Sequence, residues 1–167
     1  MDDLVKAALK KWPNVPDCRG WLALDARGDW YMRDDRTQAA GPFPQSKGSV
    51  IRHDKLREFI GRNYEADAQG RWFFQNGPQR VFVRLRYTPL VVHFEGDALI
   101  DHCARPFGAP VATFLDDGGS VLVQGARGIA LVDDRDLNRY ANDGDTLQRI
   151  KQSDVATRFG FVQDPRP

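Results

Sequence analysis

The sequence predicts an α+β protein of two related small units packed together, each a set of antiparallel strands in hairpins or a meander with a short helix, plus an N-terminal helix. Three observations carry this expectation. The phrase Asp25-Ala26-Arg27-Gly28-Asp29-Trp30 returns as Asp67-Ala68-Gln69-Gly70-Arg71-Trp72, and a looser copy, Leu115-Asp116-Asp117-Gly118-Gly119-Ser120-Val121, comes third. In each copy an Asp can accept bonds from amides ahead of it while a Gly takes positive φ, the chemistry of a short turn between antiparallel strands. Short apolar runs alternate with Gly, Pro and Asn punctuation, and a short helix start follows the hairpins in each half, at His53-Asp54-Lys55-Leu56 and at Arg135-Asp136-Leu137. The expected organisation is residues 1–17 as helix and linker, 18–95 as the first unit and 96–167 as a smaller second unit.

Residues Asp3 to Lys11 place Leu4, Val5, Ala8 and Leu9 at helical spacing, with Asp2 or Asp3 to cap the first turn and Pro13 to end it. Asn14 to Arg19 reads as a loop, and Trp21-Leu22-Ala23-Leu24 and Trp30-Tyr31-Met32 as the arms of a hairpin. Asp34 to Lys47 has no period and reads as a long loop, a length that marks functional or mobile segments. From Arg52 to Asn63, Leu56, Phe59 and Ile60 follow a helical spacing. Trp72-Phe73-Phe74, Gln79 to Tyr87 and Leu90 to Glu95 then read as an antiparallel meander, with Arg80, Arg84 and Arg86 on the face opposite Val81, Val83 and Leu85. Val111 to Leu115, Ser120 to Gln124 and Gly128 to Val132 are further strands, Asp133 to Leu137 is a helix start, and the tail from Gln163 to Pro167 is expected to fray.

Composition excludes several classes. Hydrophobic residues at 41% and charged residues at 28% are ordinary for a globular chain, so neither disorder nor a fibrous class is indicated. A net charge of +1 with scattered arginines offers no basic stripe, so nucleic acid is not an expected partner. No apolar run approaches the ~20 residues that span a bilayer, and the opening Met1-Asp2-Asp3 lacks the features of a secretory signal; the cytoplasm is the expected compartment and no membrane is involved. Cys18 and Cys103 are expected as free thiols.

His53, His93 and His102 match no metal-ligand spacing, so no metal or other cofactor is expected. His102 and Cys103 are neighbours whose side chains diverge in extended chain, which argues against an activated thiol. Gly125-Ala126-Arg127-Gly128 lacks the Lys-Ser/Thr of a phosphate loop and reads as a turn. The strongest binding feature is Gly48-Ser49 leading into Arg52 and His53 at a helix start, where amides, a hydroxyl and a guanidinium can hold a carboxylate or phosphate. Arg80 and Arg84 would extend that site across the sheet and Trp72 would wall it; the competing reading makes Ser49 a capping residue and the arginines a solvated face.

The string Gly48-Ser49-Val50-Ile51-Arg52, followed by Lys55-Leu56, Phe59, Asp67, Gly70 and Trp72, resembles a proteobacterial family of domains of unknown function. There a Gly-Ser-Pro-Ile-x-Arg phrase precedes a helix, and an Asp-x-x-Gly hairpin and a β-branched strand follow; Asn76-Gly77-Pro78-Gln79-Arg80-Val81-Phe82-Val83 is the later match. The likeness covers about Cys18 to Glu95, with Val50 in place of Pro. It implies a repeated helix plus antiparallel-sheet fold and hints at signalling or regulation, with no established activity. The expected function is therefore a non-catalytic regulatory or signalling module binding a small anionic ligand or a protein partner in a groove between the units. The alternatives are a protein-interaction scaffold or oligomer subunit, and a hydrolase or transferase with His53 or His102 as base.

Overall fold

The computed structural model describes residues 1–166. The chain divides into two compact units, one of Met1–Asp25, Asp29–Arg86 and Phe161 onward, the other of Ala26–Gly28 and Tyr87–Gly160.

The first unit contains α1 (Asp3–Lys11), β1 (Cys18–Leu24), β2 (Trp30–Met32), α2 (Asp35–Ala40), β3 (Ser49–Val50), α3 (Asp54–Arg62), β4 (Tyr64–Ala66), β5 (Trp72–Asn76) and β6 (Gln79–Leu85). Its sheet order is β3-β2-β1-β6-β5-β4, antiparallel except for the central β1–β6 pair, which runs parallel. One face is apolar: Leu22, Leu24, Trp30, Trp72, Phe74, Val81, Val83 and Leu85 are all buried. On that side Phe59 of α3 meets Phe74 edge-on at 5.5 Å, and Tyr64 sits 5.0 Å from Trp30 and 4.8 Å from Trp72 between ring centres. The strand alternation sends Phe73, Arg80, Phe82 and Arg84 to the other face.

The second unit contains β7 (Leu90–Glu95), β8 (Ala98–Asp101), β9 (Ala112–Asp116), β10 (Val121–Gly125), β11 (Gly128–Val132), a 3-10 helix (Asp134–Tyr140), β12 (Gln148–Ile150) and α4 (Gln152–Phe159). Its sheet order is β12-β9-β10-β11-β7-β8, with β7–β11 and β9–β12 parallel. The two sheets share one plan. A hairpin comes first, a three-stranded meander follows, and the last meander strand returns parallel to the first hairpin strand, as β6 does to β1 and β11 to β7.

One turn, used four times, closes this plan. Asp25, Asp67, Asp101 and Asp116 each donate an amide N–H to the carbonyl four residues on, at 2.9–3.0 Å, and each accepts that residue's N–H on Oδ1, at 2.8–3.1 Å. In the last three, Oδ1 also accepts the N–H two residues on, from Gln69, Cys103 and Gly118. The fourth position has positive φ: +85° at Gly28, +78° at Gly70 and +85° at Gly119. At Asp101 that position is Ala104, with φ +62°, which is why the sequence phrase with its glycine shows only three copies. The remaining oxygens recruit partners: Arg71 Nε donates to Asp67 at 2.7 Å, Arg127 to Asp101, and the Tyr87 hydroxyl to Asp116 at 2.8 Å.

Several expectations are corrected. Residues 34–47 are not all loop: Asp34 caps α2 by accepting the Thr37 N–H at 2.8 Å. The meander does not run on through Leu90, because Pro89 follows the end of β6 and β7 pairs with β8 and β11 in the other sheet. The units accordingly part at Arg86 and Tyr87, not at Glu95, and the chain's end returns to the first unit. Neither sheet is wholly antiparallel. β3, β4, β8, β12 and α4 carry too few residues or too weak a period to be read beforehand. Asp2 does not cap α1; its carboxylate accepts from Arg62 Nε at 3.2 Å and its amide donates to Asn63 at 2.7 Å. The tail does not fray at Gln163, which accepts the Leu85 N–H at 2.9 Å and donates to the Arg86 carbonyl at 2.7 Å; Pro167 lies outside the described residues. Among the described residues no helix is long and apolar enough to cross a membrane.

Ala104 is exposed and bears the left-handed conformation that costs an L-residue about 1 kcal/mol. Ala104→Gly is expected to stabilise the protein by about 0.5–1 kcal/mol, read as a higher urea midpoint at unchanged slope. A lower midpoint would contradict this account of the fourth turn.

Candidate functional site

The residues singled out in the sequence do not converge. Gly48 and Ser49 are exposed at the edge strand β3, where Gly48 has φ +85° and a Cβ would fall 2.2 Å from the Met32 carbonyl oxygen. The backbone there needs glycine for its close approach to β2, not for a ligand. His53 is the N-cap of α3, its Nδ1 accepting the Leu56 N–H at 3.3 Å, and Arg52 precedes the helix on the surface. Trp72 is buried against Tyr64 on the apolar face, so alternation removes it from the face of Arg80 and Arg84. Arg80 lies over Phe73 at 4.3 Å from the ring centre and 3.9 Å from Asp67. β3 and β6 are three strand spacings apart, about 14 Å, so Arg52 and Arg84 do not share one pocket.

Arg84 does line a cavity, of about 490 Å³, in the first unit. Its cationic wall is made by Arg19, Arg33, Arg84 and Arg166, with Asp164, while Phe43 and neighbouring prolines supply apolar surface. Arg33, the residue after β2, is 5% exposed. Its Nε donates to the Ser46 carbonyl at 3.0 Å, Nη2 to that of Gly41 at 2.7 Å and Nη1 to that of Gly20 at 3.5 Å. Two of those acceptors lie in the 34–47 segment, so its function in the fold is to wrap a guanidinium. Gln38 of α2 locks the wrap by donating to the Arg33 carbonyl at 2.9 Å, and a Cβ at Gly20 would fall 2.3 Å from the Gln38 amide oxygen.

No carboxylate among the described residues lies within 4.0 Å of the Arg33 guanidinium. Burial first, and then the charge of Arg84, hold Arg33 below the usual arginine range. Arg19 pairs with Asp17 at 3.6 Å and stacks over Phe82 at 4.8 Å, while its Nε is buried with no hydrogen-bond partner among the described residues. Asp164 meets Arg84 at 3.6 Å and Arg166 at 2.7 Å. The sequence reading reached Arg84 alone among these arginines. Arg33 reads as one more charge in Arg33-Asp34-Asp35-Arg36, and the tail residues sit some 80 positions from β6; a strand-terminal Arg before a capped segment of this length is the one local signal that could have drawn attention to Arg33.

A second cavity, of about 420 Å³, belongs to the second unit and is lined by Arg27, Gly28, His93, His102, Asp133 and Arg135, among others. Its charges are engaged with one another: Arg27 Nε donates to Asp134 at 3.0 Å, Arg135 to Asp133 at 2.6 Å, and Asp136 accepts the Phe94 N–H at 2.9 Å. His102 accepts the Val91 N–H on Nδ1 at 3.2 Å and packs under Gly28, where a Cβ would fall 2.7 Å from its own Cβ. Burial drives the imidazole down to about 4 and the Cys103 thiol up to about 12, so neither is ionised near neutrality. Among the described residues no group of three or more His, Cys, Asp or Glu side chains is placed to hold a metal ion.

A protein-family profile named DUF2944 and described as "Protein of unknown function (DUF2946)" matches residues 1–166. The chain belongs to this family. Two crystal structures of DUF1285 family proteins are similar to the DUF2944 chain in fold. The one from Silicibacter pomeroyi DSS-3 has a TM-score of 0.51 at 16% identity, covering 83% of this chain and 82% of that one. The one from Shewanella baltica OS155 has a TM-score of 0.50 at 15% identity, covering 74% and 91%. These likenesses bear out the expected tie to a domain family of unknown function, and at such identity they speak to fold alone. No curated protein matches the chain.

The buried imidazole gives the DUF2944 fold a pH response of defined sign. With the folded value lowered to about 4 and the unfolded value near 6.5, the unfolded chain binds the extra proton between those pH values. The His102 contribution is thus complete above pH ~6.5 and lost as pH falls toward 4, by an amount on the order of 2 kcal/mol. Urea unfolding at pH 7 and 4.5 should show this loss, and His102→Asn, whose amide oxygen can still accept the Val91 N–H, should shrink it. An unchanged pH dependence in the variant would show that other groups carry it.

Proposed function

We propose that the chain is a binding module, regulatory in character, that takes a small anion in the arginine-lined cavity of its first unit. The observation that carries this reading is Arg33, a buried guanidinium caged by three carbonyl dipoles, with Arg84 and Arg19 beside the same cavity and no carboxylate within ion-pair distance among the described residues. Holding such a charge away from water is costly unless something compensates it, and a charge-assisted hydrogen bond to an anion is the strongest compensation a guanidinium can receive. The reading moves the anion site from the α3 start to the opposite sheet face and keeps only Arg84 of the residues first singled out. A regulatory role is favoured because the groups suited to chemistry are engaged otherwise: His53 caps a helix and Cys103 remains a thiol.

A second reading, a protein-interaction module, is favoured by α1, whose Leu4 is 82% exposed with Trp12 51% exposed just beyond the helix. In that case an oligomer seen by light scattering would dissociate in a Leu4→Ser, Trp12→Ser variant, which keeps the buried Val5.

An amide-resolved NMR titration with inorganic phosphate tests the anion site. Shifts are expected at Arg33, Gly41, Ser46 and Arg84, and Arg84→Gln should weaken binding at least tenfold while Arg52→Ala leaves it unchanged. Retained affinity in Arg84→Gln with loss in Arg52→Ala would return the site to the α3 start.

A further inference from the structure

The charge balance of the cavity narrows the ligand. Four guanidinium groups line it, Asp164 is the one carboxylate among the described lining residues, and Asp17 pairs with Arg19 from outside, so among the described residues two positive charges remain uncompensated. Asp164 spends a single oxygen, Oδ2, on both Arg84 and Arg166. Donors are left over where that carboxylate does not reach. Arg33 uses one N–H of each of its nitrogens on carbonyls, which leaves one on Nη1 and one on Nη2. Arg19 keeps a buried Nε–H with no partner among the described residues.

We infer that the cavity is built for a dianion of the phosphate-monoester type, held by Arg19, Arg33 and Arg84, with Asp164 acting as an internal competitor for Arg84. This rests on the reading of the cavity as an anion site. Two negative charges match the two uncompensated positive ones, and three terminal oxygens match three guanidinium groups lining one cavity from β1, the residue after β2, and β6. A singly charged carboxylate would leave one cation uncompensated. At about 490 Å³ the cavity exceeds a phosphate group, and Phe43 with Pro42 and Pro165 offers an apolar wall for the ester's organic part. Asp164 belongs to a tail whose last backbone anchor onto the sheet is Gln163, bonded to Leu85 and Arg86. Beyond that anchor the tail contributes a carboxylate to the cation pair of Arg84 and Arg166, and a bound dianion has to displace or share it.

The test is calorimetric titration of the whole protein, at constant ionic strength, with phenyl phosphate, its singly charged analogue phenyl sulfate, and succinate. At pH 7.5 phenyl phosphate should bind at least tenfold more tightly than either. No histidine lines the cavity, so the pH response belongs to the probe: with a second pKa of about 6, its dianion falls about tenfold between pH 7.5 and 5 and its affinity should follow. Asp164→Asn should raise the phenyl phosphate affinity several-fold, a gain that a damaged fold does not produce. Equal binding of phenyl phosphate and phenyl sulfate, both lost in Arg84→Gln, would overturn the dianion inference and leave the anion site standing. Succinate binding more tightly than phenyl phosphate would reassign the site to dicarboxylates. Binding of none of the three, or binding indifferent to Arg84→Gln and Asp164→Asn, would remove the anion site itself.

Discussion

A carboxylate folded back onto its own turn is the interaction on which both sheets depend. Each of Asp25, Asp67, Asp101 and Asp116 fixes the residue four ahead, and with it the register of the strands that leave the turn. Because side chains alternate along a strand, a slip of one residue would exchange the residues of the two faces. The turn therefore settles more than its own geometry: it decides that Trp72 and Phe74 pack on the side of Tyr64 and Phe59, and that Phe73 is buried on the opposite face beside Phe82. The second oxygen extends the effect across the fold. Asp67, though burial opposes its ionisation, is held below the usual carboxylate range by Arg71 and by the amides it accepts. The phenol of Tyr87 is pushed well above its ordinary value, first by burial and then by the hydrogen bond to Asp116.

The same economy of backbone polar groups operates with opposite sign around Arg33. There the carbonyls of Gly20, Gly41 and Ser46 turn toward a buried cation. A long connection whose one regular element is the short helix α2 needs a physical reason in a compact fold, and here the reason is acceptor supply. The cation fixes the loop, the capped helix α2 fixes Gln38, and Gln38 in turn bonds the Arg33 carbonyl. In this closed circuit the Arg33 guanidinium is held in one orientation by the groups it bonds, and donors already oriented would lose little freedom on binding an anion.

How much of this was legible in the sequence follows from range. The Asp-x-x-Gly turns, α1, the β1–β2 hairpin and the helix at Asp54 are local: spacing, caps and turn chemistry lie within a dozen residues, and they were readable. The fourth turn is hidden in the sequence by Ala104, because glycine marks the pattern while the aspartate makes the bonds. The parallel pairings of β1 with β6 and of β7 with β11 join strands tens of residues apart, and no local pattern announces them. The site followed the same rule. Gly48-Ser49-Arg52-His53 looked like an anion cradle because the residues adjoin in sequence, yet each is accounted for by an edge strand, a surface position or a cap. The arginines that do share a cavity come from β1, the end of β2, β6 and the tail, and only the folded sheet brings them together.

The return of the chain's end to the first unit carries a consequence for how the protein is made. Val162 donates to the Gly70 carbonyl and Gln163 pairs with Leu85 and Arg86. A ribosome delivers these residues after every strand of the second unit has emerged. The second unit, whose span closes at Gly160, has its later strands ready before the first has its final backbone partners. Until Gln163 emerges, the Leu85 amide and the Arg86 carbonyl lack the groups they bond in the finished fold. Asp164 comes one residue behind Gln163, so the carboxylate that meets Arg84 reaches the cavity later in synthesis than Arg19, Arg33 and Arg84 do.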